Sequence, residues 1–252
     1  YLGLHFKIEP IGGFAGMLWA SPTVTAPATR SLSRFLHIGP LVPAPVCAGG
    51  AAAQGSGFVA HNSLIALGNG EGLYHKQRLV PFGEYVPLER WLRGLIAFFD
   101  LPMSDFTAGA AGQPPISTTQ GWRILPLICY EVAYADLARA QPADLLLTVS
   151  NDAWFGDSFG PWQHLEIARL RAAENGRPLL RATNDGISAL IDHQGALLLQ
   201  SERFVAQSLH GEVVLTAGET PYHRFGDWPL FGVGLATLAA ALYRRARRRY
   251  QR

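Results

Sequence analysis

Between Trp122 and Gln200 the chain alternates short apolar runs with stretches of helical spacing. Asp144-Leu-Leu-Leu-Thr-Val-Ser150 carries no polar alternation, which marks a fully buried strand. Trp122–Ile128 is a second apolar strand, ending at Cys129. Leu179–Thr183 and Ile187–Asp192 follow, joined by Asn184-Asp-Gly186, and Ile187–Asp192 pairs with Ala196–Gln200 across His193-Gln-Gly195. Helices fall between these runs, over Glu131–Ala140 and Pro161–Asn175. The second has proline in its first turn and Asn175-Gly176 as its stop. Upstream, Asn62–Gly68 reads as a strand closed by a Gly-Asn-Gly turn. Pro87–Phe99 reads as a helix with Leu88, Trp91, Leu92, Leu95, Ile96 and Phe99 on one stripe. Core packing suits that stripe better than contact with lipid. The alternation of strand and helix assigns the α/β class.

Composition narrows the alternatives. Of 252 residues, 48% are apolar and 16% charged, which excludes a charged disordered chain, and two cysteines exclude a disulfide scaffold. Six of the 21 Lys and Arg crowd into residues 244–252, so the body, with 19 Asp and Glu, is mildly acidic. A nucleic-acid binder carries its positive charge on a folded face, so nucleic acid is not an expected partner. The chain opens at Tyr1 rather than Met, as expected of a piece of a longer protein.

Two segments stand apart. Trp228–Tyr243 is 16 residues without a charge, flanked by aromatics and followed at once by arginines. As a helix it would be about 24 Å long against a bilayer core of about 30 Å. Its aromatic ends, small residues and basic flank favour one transmembrane helix over residues 228–243 rather than a buried core helix, with 244–252 as a cytoplasmic tail. The body before Trp228 is then on the far side, which in a bacterium is periplasmic or extracellular. At the other end, residues 1–70 contain a single carboxylate, Glu9, and only Lys7, Arg30 and Arg34 as Lys or Arg. Pro22–Gly55 shows neither strand nor helix period, so residues 1–60 read as a linker, a divergent segment or an out-of-frame stretch ahead of a domain over 61–222.

Cys129 ends a buried strand and begins a helix, where the positive end of the helix dipole favours thiolate, as in a nucleophile elbow. A small core cysteine, or a disulfide to Cys47, are the plainer alternatives. The eight histidines form neither a Cys-His pattern nor a His-Glu-x-x-His metal site, so no metal or cofactor is expected. A cysteine nucleophile without histidine needs a carboxylate base and a cation for the oxyanion. Lys76 and Glu84 lie eight apart in Lys76-Gln-Arg-Leu-Val-Pro-Phe-Gly-Glu84-Tyr-Val-Pro87, where a Pro-Phe-Gly bend folds them together.

Lys76 with Leu79–Pro87, Cys129-Tyr130-Glu131, and Ser150-Asn-Asp-Ala-Trp-Phe-Gly156 together resemble the nitrilase superfamily, of carbon-nitrogen hydrolase fold. Within it the chain is similar to the apolipoprotein N-acyltransferase branch. Gln163-His164, Arg169, Arg171–Arg177 and Arg181-Ala-Thr-Asn-Asp-Gly186 continue the match, over about residues 61–245. The resemblance implies a four-layer α-β-β-α sandwich and, upstream, a bundle of membrane helices that these residues do not include. It implies a bacterial inner-membrane enzyme in the last step of lipoprotein maturation. The acyl donor is a phospholipid and the acceptor is the N-terminal diacylglyceryl-cysteine of an apolipoprotein. Cys129 would form the thioester, Lys76 would hold the oxyanion, and Glu84 would orient Lys76 or shuttle protons. Tyr130 and Glu131 would shape the pocket beside the thiol, and Trp154 and Phe155 would contact acyl chains or pack in the core.

The family's general base, a glutamate in a Trp-Pro-Glu tract, has no match here. Leu18-Trp19-Ala20-Ser21-Pro22 puts serine in its place, and serine cannot act as a carboxylate base. Either residues 10–50 are out of frame, or Glu9 serves, or the enzyme is inactive. The chain as written is expected to lack full acyl transfer. A carbon-nitrogen hydrolase acting on a small amide or nitrile, and an inactive lipid- or lipoprotein-binding remnant, are the other readings.

Overall fold

The computed structural model describes residues 3–11, 17–25, 36–41, 61–68, 70–85, 87, 106–205, 207 and 209–250. In chain order its first strands are β1 (Gly3–Ile11), β2 (Met17–Thr25), β3 (Leu36–Leu41), β4 (Ser63–Gly68), β5 (Gly70–Glu71) and β6 (Leu73–His75). Then come β7 (Ile116–Thr118), β8 (Arg123–Ile128), β9 (Leu145–Asn151), β10 (Leu179–Asn184), β11 (Ala189–Ile191), β12 (Leu197–Gln200) and β13 (Leu209–Val214). The α-helices are α1 (Ala135–Ala138), α2 (Gly160–Asn175), α3 (Pro221–Phe225) and α4 (Trp228–Tyr250).

A seven-stranded sheet has the order β12-β11-β10-β9-β8-β7-β5. Its centre, β8-β9-β10, is parallel and its flanks are antiparallel. The central strands are apolar throughout because both of their faces are covered. Ile124, Ile128, Leu145, Leu147, Val149, Leu180 and Ala182 pack on one side, against Leu64, Ala66 and Tyr74 of β4 and β6 and Leu209 and Val213 of β13. Leu125, Leu127, Leu146 and Leu179 face the other way, onto Val132, Leu137, Leu165, Ala168 and Ala172. The mixed α/β class read from the alternation therefore stands, with helices on one face and smaller sheets on the other.

The helix expected over 161–175 runs Gly160–Asn175. It buries Pro161, His164, Leu165, Ala168, Arg171, Ala172 and Asn175, a spacing of three and four, and ends on Gly176 in the left-handed region at φ 60°. The helix expected over 131–140 is broken instead. A 3₁₀ turn over Cys129–Ala133 gives way at extended Tyr134 to the four-residue α1. Pro22–Gly55, patternless in sequence, contributes the end of β2 and all of β3. β1 pairs antiparallel with β2 and β13, and β3 pairs with β4. The expected helix over 87–99, with its Trp91, Leu92, Leu95 and Ile96 stripe, lies outside the described residues apart from Pro87, as does Cys47.

The expected transmembrane helix is corrected. Trp228–Tyr243 is helical, but among the described residues no helix is long and apolar enough to cross a membrane. The reason is local: the uncharged stretch stops at Tyr243, and the remaining turns of α4 are built largely of arginine, which a bilayer core excludes. Leu230, Phe231, Val233, Leu235, Leu238 and Leu242 are exposed along its length.

Leu147 is fully buried at the centre of the sheet. Leu147→Ala is expected to destabilise the fold by about 2–5 kcal/mol, read as a lower urea midpoint.

Candidate active site

The parallel strands β8, β9 and β10 deliver three turns to one edge of the sheet, the edge where α/β folds gather ligand-binding groups. Cys129 follows β8 and has φ 53°, left-handed for a side chain with a Cβ. Such a conformation costs on the order of 1–3 kcal/mol and persists only where surrounding contacts over-determine it. Cys129 is a partly exposed free thiol. The helix-dipole argument for thiolate loses its basis, because the 3₁₀ turn it opens has only five residues.

Glu131 is the contact that fixes the turn. It is fully buried, and its Oε2 accepts from the Ile128 N–H at 2.8 Å. Its Oε1 accepts from the N–H of Gln77 at 2.6 Å and of Arg78 at 3.0 Å, and the Tyr74 hydroxyl lies 3.1 Å from both oxygens. Burial pushes the Glu131 carboxyl up from its ordinary range, and these donors pull against that rise. Burial beside Glu131 pushes the Tyr74 hydroxyl well above the usual phenol range. Glu131 therefore points into the protein and ties the cysteine turn to the segment after Lys76, rather than lining a pocket beside the thiol as expected.

Lys76 follows β6 and is 1% exposed. Its ammonium donates to Glu84 Oε2 at 2.7 Å. The same oxygen accepts from the Val80 N–H at 2.8 Å, and Asn62 Nδ2 donates to Oε1 at 3.0 Å. The bend anticipated between Lys76 and Glu84 is a turn in which Gly83 N–H and Glu84 N–H both donate to the Val80 carbonyl. The lysine backbone is held as well: its N–H donates to the Asn62 carbonyl, and its carbonyl accepts from Gly109.

Tyr130 is part-exposed and packs edge-on against Tyr134 at 5.2 Å between centroids. Trp154 and Phe155 lie in the 3₁₀ turn Asp152–Phe155 that follows β9, at the same sheet edge as Cys129. Trp154 is 67% exposed, which removes core packing as its role. Glu9 lies in β1 opposite Trp19 of β2, and Ser21 lies opposite Lys7. Their side chains lie outside the described residues. The structure thus joins Lys76, Glu84 and Glu131 to the turn of Cys129, and sets Trp154 and Phe155 at the same edge. Asp152, His164 and Arg181, given no role from sequence, are buried together behind Cys129. Arg181 alone offered a signal, a charge within a buried strand; Asp152 and His164 lie among other polar residues and offered none.

A family model described as carbon-nitrogen hydrolase matches residues 44–220. The apolipoprotein N-acyltransferase of Azotobacter vinelandii is 54% identical over 187 residues, covering 73% of this chain and 36% of that protein. The apolipoprotein N-acyltransferase of Pseudomonas aeruginosa strain PAO1 is 52% identical over 189 residues, covering 74% of this chain and 37% of that protein. The chain thus spans 36–37% of the length of these relatives. A solved carbon-nitrogen hydrolase from Helicobacter pylori G27 aligns with a TM-score of 0.48 and 18% identity, over 62% of this chain and 57% of its own.

Glu131→Ala would leave the Ile128, Gln77 and Arg78 N–H groups without their acceptor. The expected loss is about 3 kcal/mol or more in urea unfolding, with Glu131→Gln losing less because its amide oxygen still accepts.

Proposed function

We propose that this chain, which belongs to the carbon-nitrogen hydrolase family, is the catalytic domain of an enzyme that moves an acyl chain from phospholipid to the N-terminal amine of an apolipoprotein. The observation that carries the reading is the left-handed Cys129 turn, bound through one carboxylate to the segment that follows a buried lysine. The two relatives named for this activity support the choice of reaction within the family.

In this reading the Cys129 thiolate attacks the ester carbonyl of the phospholipid. Lys76 faces the oxyanion that forms; one of its three hydrogens is given to Glu84, which orients it. The C–O bond breaks, the leaving oxygen takes up the proton that the Cys129 thiol gave up on becoming thiolate, lysophospholipid departs, and the acyl group stays as a thioester. The diacylglyceryl-cysteine amine then attacks, loses a proton, and breaks the C–S bond, which restores the thiolate. The kinetics are ping-pong. Tyr130, Trp154 and Phe155, exposed near Cys129, supply apolar surface for acyl chains. The described layers, helix against sheet against smaller sheets, are three of the four in an α-β-β-α sandwich. Both substrates are membrane-anchored, so the domain works at the periplasmic surface of the bacterial inner membrane.

The test incubates the 252-residue chain in phospholipid–detergent micelles and maps acyl adducts by peptide mass. An adduct on Cys129 is expected in the wild type and none in Cys129→Ser. Lys76→Met should slow adduct formation on the order of a hundredfold or more. Detection of the adduct suffices, since near-normal turnover is not expected without the glutamate base. No adduct, together with ammonia release from small amides, would replace this reading with that of an amide hydrolase.

A further inference from the structure

His164 lies on the buried face of α2, and its Nε2 sits 3.1 Å from the carbonyl oxygen of Cys129. A carbonyl only accepts, so Nε2 carries the hydrogen. Nδ1 lies 3.1 Å from Asp152 Oδ1 and 3.1 Å from Arg181 Nη2. Unprotonated, it accepts from Arg181; protonated, it donates to Asp152. In both states the bond to Cys129 survives.

The two partners of His164 are themselves fixed. Arg181 Nη2 donates to Asp152 Oδ2 at 2.6 Å, its Nε donates to the Ile187 carbonyl at 3.1 Å, and Ser150 Oγ donates to Asp152 Oδ1 at 2.6 Å. A Cβ at Gly186 would run into the Asp152 carboxylate, so the turn after β10 leaves it room only as glycine. Burial works against charge on Asp152, yet His164 and Arg181 hold its carboxyl below the usual range. Burial lowers Arg181, and Asp152 and Cys129 offset part of that. Its Nη1 is buried with no hydrogen-bond partner among the described residues.

A buried ion pair is a poor source of net stability, since well-packed apolar residues of like volume do as well or better. This one stands directly behind the one strained residue that the proposed chemistry needs. We infer that His164 is a positioning residue for the Cys129 nucleophile, holding the Cys129 carbonyl in the left-handed turn, with Asp152 and Arg181 holding His164. The inference deepens the proposed function and rests on Cys129 being its nucleophile.

The test measures the rate at which iodoacetamide alkylates Cys129 in the full chain, mapped by peptide mass, and needs no lipid substrate. His164→Leu removes the N–H; His164→Gln puts an amide N–H where Nε2 stood. The Leu variant should alkylate about tenfold more slowly and the Gln variant within about threefold of the wild type, tenfold being 1.4 kcal/mol, the order of one hydrogen bond. A folded Leu variant with the wild-type rate, or a Gln variant as slow as Leu, overturns the assignment. Should the Leu variant fail to fold, nitrogen-15 NMR of the wild type decides: a hydrogen on Nε2 of His164 supports the assignment and a bare Nε2 overturns it. A His164-dependent rate in a chain that forms no acyl adduct and releases ammonia from small amides would sink the acyltransferase reading and keep the positioning role. An adduct with no His164 dependence would do the reverse.

Discussion

One buried carboxylate holds the candidate site together. Glu131 receives backbone N–H groups from two segments about fifty residues apart, one at the end of β8 and one just after Lys76. Burying a carboxylate is unfavourable unless its oxygens are filled with donors, and here the donors are main-chain groups that need an acceptor themselves. The two needs are met by one bond set, so neither segment shifts without stranding the other. The left-handed Cys129 and the Lys76–Glu84 pair become parts of one rigid body.

The sheet topology explains why these parts meet where they do. Parallel pairing of β8, β9 and β10 places Cys129, Asp152 and Asp185 after the same ends of adjacent strands. The return from β9 to β10 runs through α2, which brings His164 down behind the cysteine turn. A parallel centre needs crossovers, and the crossover helix carries the side chain that reaches the Cys129 carbonyl. The exposed aromatics Trp154 and Phe155 come from the turn that starts with buried Asp152, so one short segment faces both the interior cluster and solvent.

What could be read from sequence follows the same physics. β8, β9, β10 and α2 were legible because double-sided burial and three-four spacing are local signals. The cysteine turn was placed correctly in the chain, but its five-residue 3₁₀ form was not foreseen, since a left-handed residue leaves no mark in periodicity. The resemblance places Glu131 beside the thiol in the chain but gives no direction for its side chain; apart from the Ile128 N–H, its partners lie 53 to 57 residues away. β2 and β3 are hidden because they hold no Asp, Glu, Lys or Arg and each carries a proline, so they lack period-two contrast. The C-terminal helix was found, but its end was misjudged: an aromatic followed by arginines fits a membrane boundary and equally the last turns of an exposed helix.

The geometry also separates the two roles open to Glu84. A general base needs a free oxygen directed at the proton it takes. Both oxygens of Glu84 are engaged: Oε2 by the Lys76 ammonium and the Val80 N–H, Oε1 by Asn62. A carboxylate so occupied is fixed in place and keeps the adjacent lysine ammonium aimed. That arrangement suits orienting a cation toward a developing oxyanion and leaves little capacity for carrying a proton away from a thiol or an amine. The proton acceptor that the proposed reaction requires must therefore come from a group other than Glu84, and Glu131, with its oxygens filled by backbone donors, is closed to that task for the same reason.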